Sequence, residues 1–471
     1  MLDPDRTRRI VEDFWEEKIL PALSDYIRIP NVSSSFDPDW EKHGHVDRAL
    51  ALVTRWLEEN RPQGSKLSVG RLDKRTPLLL LEVPGRSDET VLMYGHLDKQ
   101  PEMTGWREGL SPWSPVRERD RLYGRGGADD GYAVFASVAA LRALKEQNAS
   151  HARVVVVIEF SEESGSPDLP AYVEHFRDVI GSPGLVVCLD SGTCNYEQIW
   201  STTSLRGVLG AAFTVEVLRE GVHSGEGSGI VPSSFRIARQ LLSRLEDETT
   251  GRIRPEGLWV EIPEERIQEA RAVADALGDE VVSKFPWIQA MNAVSLDRTE
   301  LLLNRTWRPQ LAVTGQEGMP ALLQAGNVLR PFTTLKLSLR TPPTLPPETA
   351  RRIVTEVLTR NPPYGARVRL DFDEPAQGWN APAVAPWLSK TLDGASQTFF
   401  GNKAMLMGEG GSIPFMGMLG EKFPEAQFVI TGVLGPESNA HGPNEFLDLA
   451  TGMRLTCCVA WVLVDHFKAK C

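Results

Sequence analysis

The sequence has few cysteines, no excess of basic charge and no long apolar run, and each of these features narrows the possible functions. The chain holds five cysteines in 471 residues, too few for a disulfide framework and with no CxxC pair, which predicts a reducing, cytoplasmic compartment. These cysteines are Cys188, Cys194, Cys457, Cys458 and Cys471. A net charge of −12 argues against nucleic acid or an anionic membrane as a partner. No segment reaches the ~20 apolar residues of a membrane span, and the charged first residues predict no signal peptide.

The composition is that of a globular protein. Hydrophobic residues make up 41% and charged residues 24% of the chain, which is an ordinary balance for such proteins. A length of 471 residues exceeds what one hydrophobic core usually organises, so we expect two or three domains. Bound divalent cations would neutralise part of the negative net charge.

The stretch VVVVIEFSEESGS, residues 154–166, combines an apolar run with two adjacent carboxylates. The β-branched residues Val154 to Ile158 predict a buried strand, and Glu162 and Glu163 follow directly after it. Ligands of open α/β sheets bind at strand ends, where one carboxylate can hold a metal while the other moves a proton. A pair of glutamates alone is usually a solvated acidic turn. The pair gains significance from similar residues elsewhere in the chain.

Four further segments place acidic or imidazole side chains at the ends of predicted strands or in loops. His96 and Asp98 follow the strand Val91–Tyr94, and Asp190 follows the apolar residues 184–189. Asp129 comes after a glycine-rich turn and before a long apolar helix, and His441 lies in the last loop. Taken singly, each has an ordinary structural explanation as a helix cap or a hydrogen-bonded turn. Together they predict one edge of a parallel sheet that carries all of these groups.

The predicted elements indicate an α/β protein with an inserted domain. Alternating strands and helices in residues 1–205 and 381–471 predict a catalytic domain with a mixed, mostly parallel sheet flanked by helices. Residues 206–380 change in pattern, with alternating strands and separate helical stretches, which predicts an inserted α+β domain.

The collected side chains have the composition of a site for two metal ions. The six groups are His96, Asp129, Glu162, Glu163, Asp190 and His441. Five of them would supply mixed nitrogen and oxygen ligands, with one carboxylate bridging two ions about 3.5–4 Å apart. Imidazole with carboxylate suits Zn²⁺ best and also permits Mn²⁺ or Co²⁺. The remaining glutamate is then available as a base.

Six motifs resemble those of the aminoacylase, carboxypeptidase G and carnosine dipeptidase superfamily of dinuclear metallohydrolases. In chain order they are GHLDKQP, YGRGGADDG, EESGSP, VCLDSG, GEGGSIP and AHGPNE. Each motif is modest, but the ordered set spans nearly the whole chain and is highly specific. The resemblance implies an amide hydrolase in which a metal-bound water attacks the carbonyl and a metal and a histidine stabilise the oxyanion.

The resemblance also assigns roles to individual residues. Asp129 corresponds to the bridging ligand. His96 and Asp190 would complete one metal site, and Glu163 and His441 the other. Glu162 corresponds to the general base, and Asp98 to the residue that orients His96.

Four further assignments concern substrate and oxyanion. His223 in VHSG corresponds to the oxyanion histidine, which in this family reaches the other subunit's site. Arg340 corresponds to the arginine that binds a substrate C-terminal carboxylate, for which its planar fork is suited. The alternatives are a histidine in a glycine-rich hairpin and a surface salt bridge. Asn327 and the pair Gly411 and Ser412 are weaker candidates for substrate contact.

The sequence departs from the family pattern at two places. Gly131 and Tyr132 stand where Lys-Gly is frequent, and Gly408 stands where an arginine often precedes the loop glutamate. Neither position is a metal ligand, so the departures bear on substrate contacts. The long insertion resembles the carnosine dipeptidase branch, which implies a lid and dimerisation domain and a homodimer.

Three functional hypotheses remain. The first is a dinuclear metallopeptidase that cleaves dipeptides or short peptides with a free C-terminal carboxylate. The second is an N-acyl amino acid deacylase or similar amidohydrolase with the same chemistry and a different acyl pocket. The third is an inactive, ligand-binding relative, which should have lost the base or a metal ligand; all six positions are filled.

Overall fold

A computed structural model describes residues 2–470, apart from the side chain of Pro414. Cys471, one of the five cysteines noted above, lies outside the described residues. The helices are α1 Pro4–Phe14, α2 Leu20–Ile27, α3 Trp40–His43, α4 His45–Asn60, α5 Tyr132–Glu146, α6 Leu169–His175, α7 Arg177–Ile180, α8 Ser224–Gly227, α9 Ser234–Leu245, α10 Glu264–Leu277, α11 Glu280–Ser283, α12 Arg298–Thr306, α13 Pro347–Thr359, α14 Pro386–Phe399, α15 Pro414–Lys422 and α16 Leu449–Lys470.

The strands vary in length from two residues to ten. They are β1 Lys66–Gly70, β2 Leu78–Val83, β3 Thr90–His96, β4 Val116–Glu118, β5 Arg121–Tyr123, β6 Arg153–Glu159, β7 Leu185–Cys188, β8 Trp200–Leu205, β9 Gly207–Glu216, β10 Val222–His223, β11 Gln310–Glu317, β12 Val328–Leu329, β13 Phe332–Thr341, β14 Arg367–Phe372, β15 Trp379–Asn380, β16 Met405–Glu409, β17 Gln427–Ile430 and β18 Phe446–Asp448.

The chain divides into two compact units. The first contains the residues up to Thr202, Ala381–Leu406 and the residues from Met418 onward; the second contains Thr203–Asn380 and Met407–Gly417. Residues 407–417 fall in the predicted catalytic domain, whereas their contacts group them with the second unit. The domain boundaries 1–205, 206–380 and 381–471 stay a prediction.

The first unit is built on a six-stranded mixed sheet in the order β1-β2-β6-β3-β7-β17. The strands β6, β3, β7 and β17 run parallel, and β2 and β1 join antiparallel beyond β6. The predicted strand Val154–Ile158 is therefore the inner part of β6, buried on both faces as its continuous apolar sequence requires. The parallel strands end at one edge, where β3 finishes at His96 and β7 finishes just before Asp190.

Helices cover the sheet of the first unit. Helix α5 is buried almost all round because its alanine, valine and leucine side chains face both the sheet and neighbouring helices. Helices α1, α4, α14 and α16 contribute to the same apolar core. At the start of α1, Asp3 caps the backbone N–H of Arg6, and Pro4 occupies the first helical position.

The second unit contains a four-stranded antiparallel sheet in the order β11-β13-β9-β14. Along β13, buried side chains alternate with half-buried ones, as expected for a sheet packed on one face. Helices α9 and α13 supply apolar residues such as Leu241 and Val354 to the core on that face. The structure confirms the α/β fold with a mixed sheet flanked by helices. In residues 2–470, no helix has the length and apolar character to cross a membrane.

Candidate metal centre and active site

Asp129 sits at the centre of a group of acidic and imidazole side chains in the first unit. It lies in the short turn Gly127–Gly131 before α5, where its own backbone is extended, and its peptide bond to Asp130 is cis. Oδ1 of Asp129 is 3.3 Å from Nε2 of His96, and Oδ2 is 3.0 Å from Nε2 of His441. The two oxygens of one buried carboxylate thus face two different histidines.

His96, Asp129 and Asp190 form the first set of potential ligands, with one atom of each lying within 4.8 Å of the others. The strands position them, since β3 ends at His96 and Asp190 follows β7, which pairs with β3. Oδ2 of Asp190 is 3.7 Å from Nε2 of His96. This spacing leaves room for a cation between the three side chains.

Asp129, Glu163 and His441 form the second set within the same limit of 4.8 Å. Oε2 of Glu163 lies 3.3 Å from Nε2 of His441. Glu163 belongs to the single 3₁₀ turn Glu162–Ser164 that follows β6, whereas His441 comes from the loop between β17 and β18. Two segments almost 300 residues apart in the chain therefore supply one set of ligands.

Asp98 contacts both His96 and the turn that carries Glu162 and Glu163. Its Oδ1 lies 3.4 Å from Nδ1 of His96, on the side of the ring opposite to Asp129. The same carboxylate accepts hydrogen bonds from the backbone N–H groups of Glu162, at 3.1 Å, and Glu163, at 2.9 Å. One buried aspartate thus orients His96 and fixes the turn that presents both glutamates.

Glu162 lies beside the first set of ligands but is not a member of either set. Its Oε2 is 3.9 Å from Nε2 of His96. Burial raises the pKa of Glu162 well above its ordinary value, and the charge of Asp190 adds to the rise. A carboxyl group in this environment holds a proton more readily than one in water, which suits a group that accepts and returns protons near neutral pH.

The electrostatics of the site reflect a concentration of negative charge around the imidazoles. Burial lowers the pKa of His441, but the hydrogen bond to Asp129 and the charges of Glu163 and Asp129 raise it to about 9. The pKa of Asp129 is lowered: burial acts to raise it, but the hydrogen bonds of His441 and His96 outweigh this effect. Burial, with the charge of Asp129, raises the pKa of Glu163 to about 8.

The nitrogen and oxygen atoms of the two sets would be better satisfied by a divalent cation than by their contacts with one another. Oε1 of Glu163 is buried and has no hydrogen-bond partner in residues 2–470, which is costly unless a cation or a water fills the gap. The remaining donors are imidazole nitrogens and carboxylate oxygens, with no thiolate in either set. This mixture of ligands is typical of zinc, manganese and cobalt sites.

Two side chains of the site were not singled out from the sequence. Nε2 of Gln100 donates a hydrogen bond of 2.7 Å to Oε2 of Glu163, and Asp130 accepts one of 3.2 Å from the backbone N–H of His96. Gln100 lies in the motif GHLDKQP and Asp130 in the motif YGRGGADDG. Their position beside assigned residues in these motifs is the sequence feature that could have indicated a role in the site.

The other predicted site residues lie in the second unit. His223 ends β10, is exposed, and its Nδ1 accepts a hydrogen bond of 3.1 Å from the backbone N–H of Gly225. The pairing of β10 with β12 brings Asn327 next to His223. The backbone carbonyl oxygen of Asn327 accepts a hydrogen bond from the backbone N–H of Ser224. The structure therefore places His223 and Asn327 side by side.

Arg340, Gly411 and Ser412 also belong to the second unit. Arg340 is half-buried on β13, and no carboxylate of residues 2–470 forms an ion pair with its guanidinium. Burial lowers its pKa. Gly411 is exposed in the loop between β16 and α15, with Ser412 half-buried beside it. An arginine without a carboxylate partner in this part of the chain is available to an anionic ligand.

Taken together, the mixed α/β sheet and the imidazole and carboxylate groups at its edge define a metal-dependent hydrolase. The chain belongs to the peptidase family M20/M25/M40, whose model matches residues 92–462. It is a metal-dependent peptidase, in agreement with the family resemblance of its motifs.

Two relatives of similar length match more than nine-tenths of the chain. It is 28% identical over 453 residues to cysteinylglycine-S-conjugate dipeptidase of Corynebacterium striatum, covering 92% of both chains. It is 26% identical over 470 residues to the Cys-Gly metallodipeptidase dug1 of Schizosaccharomyces pombe, covering 95% of this chain and 96% of the relative. The structure of the dipeptidase Dug1p of Saccharomyces cerevisiae has the same fold, with a TM-score of 0.77, 20% identity and 99% of each chain covered.

Proposed function

We propose that this protein hydrolyses the amide bond of dipeptides or short peptides that carry a free C-terminal carboxylate, using two divalent metal ions. The observation that carries the proposal is Asp129, whose two carboxylate oxygens face His96 and His441 at 3.3 and 3.0 Å. This is the position of a ligand that bridges two ions. The names of the two relatives, both dipeptidases, support the dipeptide as substrate.

His96, Asp129 and Asp190 would hold one ion, and Asp129, Glu163 and His441 the other. Zn²⁺ suits these ligands best, with Mn²⁺ and Co²⁺ as alternatives. Bound ions would supply a Lewis acid that polarises the amide carbonyl and lowers the pKa of water. Asp98 contacts Nδ1 of His96 and so holds the ring with Nε2 towards Oδ1 of Asp129, where it would be a ligand.

Glu162 is the general base of the proposed reaction. It is close to the first set of ligands without belonging to it, so its carboxylate stays available to protons. It would take a proton from the attacking water and return it to the leaving amine, which restores its starting state. Its raised pKa supports the first of these transfers, because a carboxylate with a higher pKa is a stronger base.

His223 is proposed to stabilise the negative charge that develops on the substrate carbonyl. Because its Nδ1 accepts a hydrogen bond from Gly225, the neutral ring carries its proton on Nε2, as a donor to an oxyanion requires. We propose that it acts in the site of a second subunit of a homodimer. The exposed edge strand β11 and the exposed side chains of Leu322 and Leu323 support an interface on this unit.

Arg340 is proposed to bind the substrate carboxylate, with Asn327, Gly411 and Ser412 as further contacts. A guanidinium offers two parallel donors to a carboxylate, and no carboxylate of residues 2–470 forms an ion pair with this one. This assignment distinguishes a peptidase for free C-termini from a hydrolase for neutral amides.

We propose a cytoplasmic location. Cys188, Cys457 and Cys458 are buried and form no disulfide within residues 2–470, and burial raises the pKa of Cys457 to about 12. Thiols of this kind are inert in a reducing compartment.

Metal analysis coupled to an amide panel tests the proposal. The protein is stripped with a chelator, reconstituted with Zn²⁺, Mn²⁺ or Co²⁺, and assayed on dipeptides, dipeptide amides, and N-acetyl and long-chain N-acyl amino acids. We expect two ions per chain and hydrolysis of dipeptides but not of their C-terminal amides. Faster hydrolysis of N-acyl amino acids would favour the deacylase, and failure to bind any divalent ion would overturn the proposal.

A further inference from the structure

Arg125 and Glu445 lie in the two motifs that supply Asp129 and His441, yet neither belongs to the sets of potential ligands. Both side chains are buried, at 1% and 0% exposure, and Nη1 of Arg125 donates to Oε2 of Glu445 at 2.5 Å. A buried ion pair is a poor source of net stability, because desolvation offsets the attraction of the charges. Its presence here therefore asks for an explanation other than stability.

The remaining hydrogen bonds of Arg125 go to the backbone of the loop that carries His441. Nη2 donates to the carbonyl oxygens of His441, at 3.0 Å, and Gly442, at 2.9 Å. Nε donates to the carbonyl oxygen of Pro101, the last residue of the His96 motif GHLDKQP. One guanidinium thus connects the loop of His441 to the segment that follows β3.

Glu445 makes the reciprocal connection to the turn that carries Asp129. Its Oε1 accepts a hydrogen bond of 2.8 Å from the backbone N–H of Gly126, and its carbonyl oxygen accepts one of 3.0 Å from Gly124. Gly126 precedes the turn Gly127–Gly131 directly. The ion pair therefore ties the segment before Asp129 to the segment after His441.

The loop of His441 needs such an anchor. His441 has a φ of 65°, and Glu437, Asn439 and Asn444 in the same loop also have positive φ, a conformation that costs free energy in residues other than glycine. The side chain of His441 is 54% exposed, and its ring forms ion pairs in residues 2–470 with Asp129 and Glu163 alone. These two contacts act on the ring, so the strained backbone that presents the ring depends on the contacts of the loop, among them those of Arg125 to the carbonyl oxygens of His441 and Gly442.

We propose that Arg125 and Glu445 are positioning residues that set the geometry of the metal site formed by Asp129, Glu163 and His441. This inference rests on the proposed function, since it requires that the site binds a metal. Residues that orient metal ligands typically contribute 10- to 100-fold to metal affinity. The effect should fall on the site that contains His441 and much less on the site formed by His96, Asp129 and Asp190.

Two variants separate positioning from folding. Arg125→Lys keeps a cation opposite Glu445 but removes the fork that binds two carbonyl groups. The double variant Arg125→Met/Glu445→Gln removes both buried charges, so no unpaired charge is left in the core, and the glutamine oxygen still accepts from Gly126. Stripped protein is titrated calorimetrically with Co²⁺ alone, and the visible absorption of Co²⁺ is recorded at each addition.

Arg153 offers a matched control in the same unit. It forms an ion pair with Glu82 and donates to the backbone carbonyl of Val179, so its contacts resemble those of Arg125. Arg153 is the first residue of β6, whereas the metal site lies beyond the last residue of that strand, roughly 20 Å away. Arg153→Met should leave both Co²⁺ affinities unchanged.

The expected result is two Co²⁺ ions in the wild type, and in both variants at least a tenfold loss at one site with less than a threefold change at the other. The spectrum of the weaker ion should change as well, because its histidine ligand is no longer fixed. Two wild-type affinities in a folded variant would overturn the inference, and so would equal losses at both sites or in Arg153→Met. A wild type that binds no Co²⁺ would instead refute the proposed function.

Discussion

Oδ1 of Asp98 lies 3.4 Å from Nδ1 of His96, so the histidine ring is held from the side opposite to the proposed ions. The same aspartate accepts the backbone N–H groups of Glu162 and Glu163. Nδ1 of His96 also lies 3.2 Å from the backbone carbonyl oxygen of Asp98, so this one residue contacts three of the residues assigned to the chemistry through its carboxylate and its backbone. This concentration makes Asp98 a sensitive position for mutation.

Replacing Asp98 with asparagine should lower both metal affinity and kcat by about 10- to 100-fold. An asparagine keeps one acceptor oxygen, but its amide nitrogen must face either Nδ1 of His96 or a backbone N–H of the turn Glu162–Ser164. Both of these groups are hydrogen-bond donors, so neither can accept a hydrogen bond from the amide. Calorimetric metal titration and steady-state kinetics on the best dipeptide measure the two effects.

Asp168→Asn is the matched control for this substitution. Asp168 also accepts a backbone N–H, that of Thr76, and binds Arg75, but it belongs to neither set of potential ligands. Its variant should keep the metal affinity of the wild type. Equal metal affinity in Asp98→Asn and the wild type would contradict the orienting role of Asp98.

Glu162 and Glu163 are adjacent in the chain, but their glutamine variants should fail for different reasons. Glu162→Gln should bind metal as the wild type does and lose at least ~10²-fold in kcat, the low end for general base catalysis. Glu163→Gln should lose metal first, because Oε2 of Glu163 is 3.3 Å from Nε2 of His441 and its Oε1 has no other partner in residues 2–470.

Metal content and kcat of both variants, measured at saturating substrate, distinguish the two roles. A Glu162→Gln variant that retains most of its activity would refute the assignment of the base. Loss of metal from Glu162→Gln with retention in Glu163→Gln would exchange the two assignments.

His223→Ala should lower kcat in a pure preparation because the carbonyl oxygen loses a donor when it gains charge. If the proposed homodimer shares its sites, a heterodimer of His223→Ala and Glu162→Gln contains one site with both residues intact. Mixed and re-associated preparations should therefore regain part of the wild-type activity. Absence of any gain in verified heterodimers would refute a shared site.

Strands in both units follow from the periodicity of the sequence. The apolar run Val154–Ile158 is the inner part of β6, and the alternating stretch Leu335–Leu339 is the inner part of β13. The mixed character of the sheet follows from β1 and β2, which join antiparallel beyond β6. Which neighbour a strand takes depends on long-range pairing, and that does not appear in the local pattern.

The ligand candidates could be identified from the sequence because histidine and acidic residues at strand ends are few and follow a family pattern. Gln100, Arg125 and Glu445 could not be identified in this way. Their roles depend on hydrogen bonds to residues such as Glu163 and His441, which lie 63 and 316 positions away in the chain. A long polar side chain in a motif does not indicate which backbone carbonyl it reaches after folding.

Glu159, the last residue of β6, should make the stability of the metal-free protein depend on pH. Burial, with the charge of Asp98, raises its pKa from an ordinary 4.5 to about 7, although the hydroxyl groups of Tyr94 and Ser166 act in the opposite direction. Between these two values the folded chain binds more protons than the unfolded chain, so the free energy of unfolding falls as the pH rises. The contribution lost over this window is up to about 3 kcal/mol.

Glu159→Gln removes this titration and keeps a side chain of the same size. Urea denaturation in the presence of a chelator, at pH 5 and pH 8, measures the free energy of unfolding of both proteins. The variant should gain stability relative to the wild type on going from pH 5 to pH 8, because only the wild type must ionise a carboxyl group that is 2% exposed. Parallel profiles for the two proteins would show that Glu159 ionises in the folded state at its ordinary pKa.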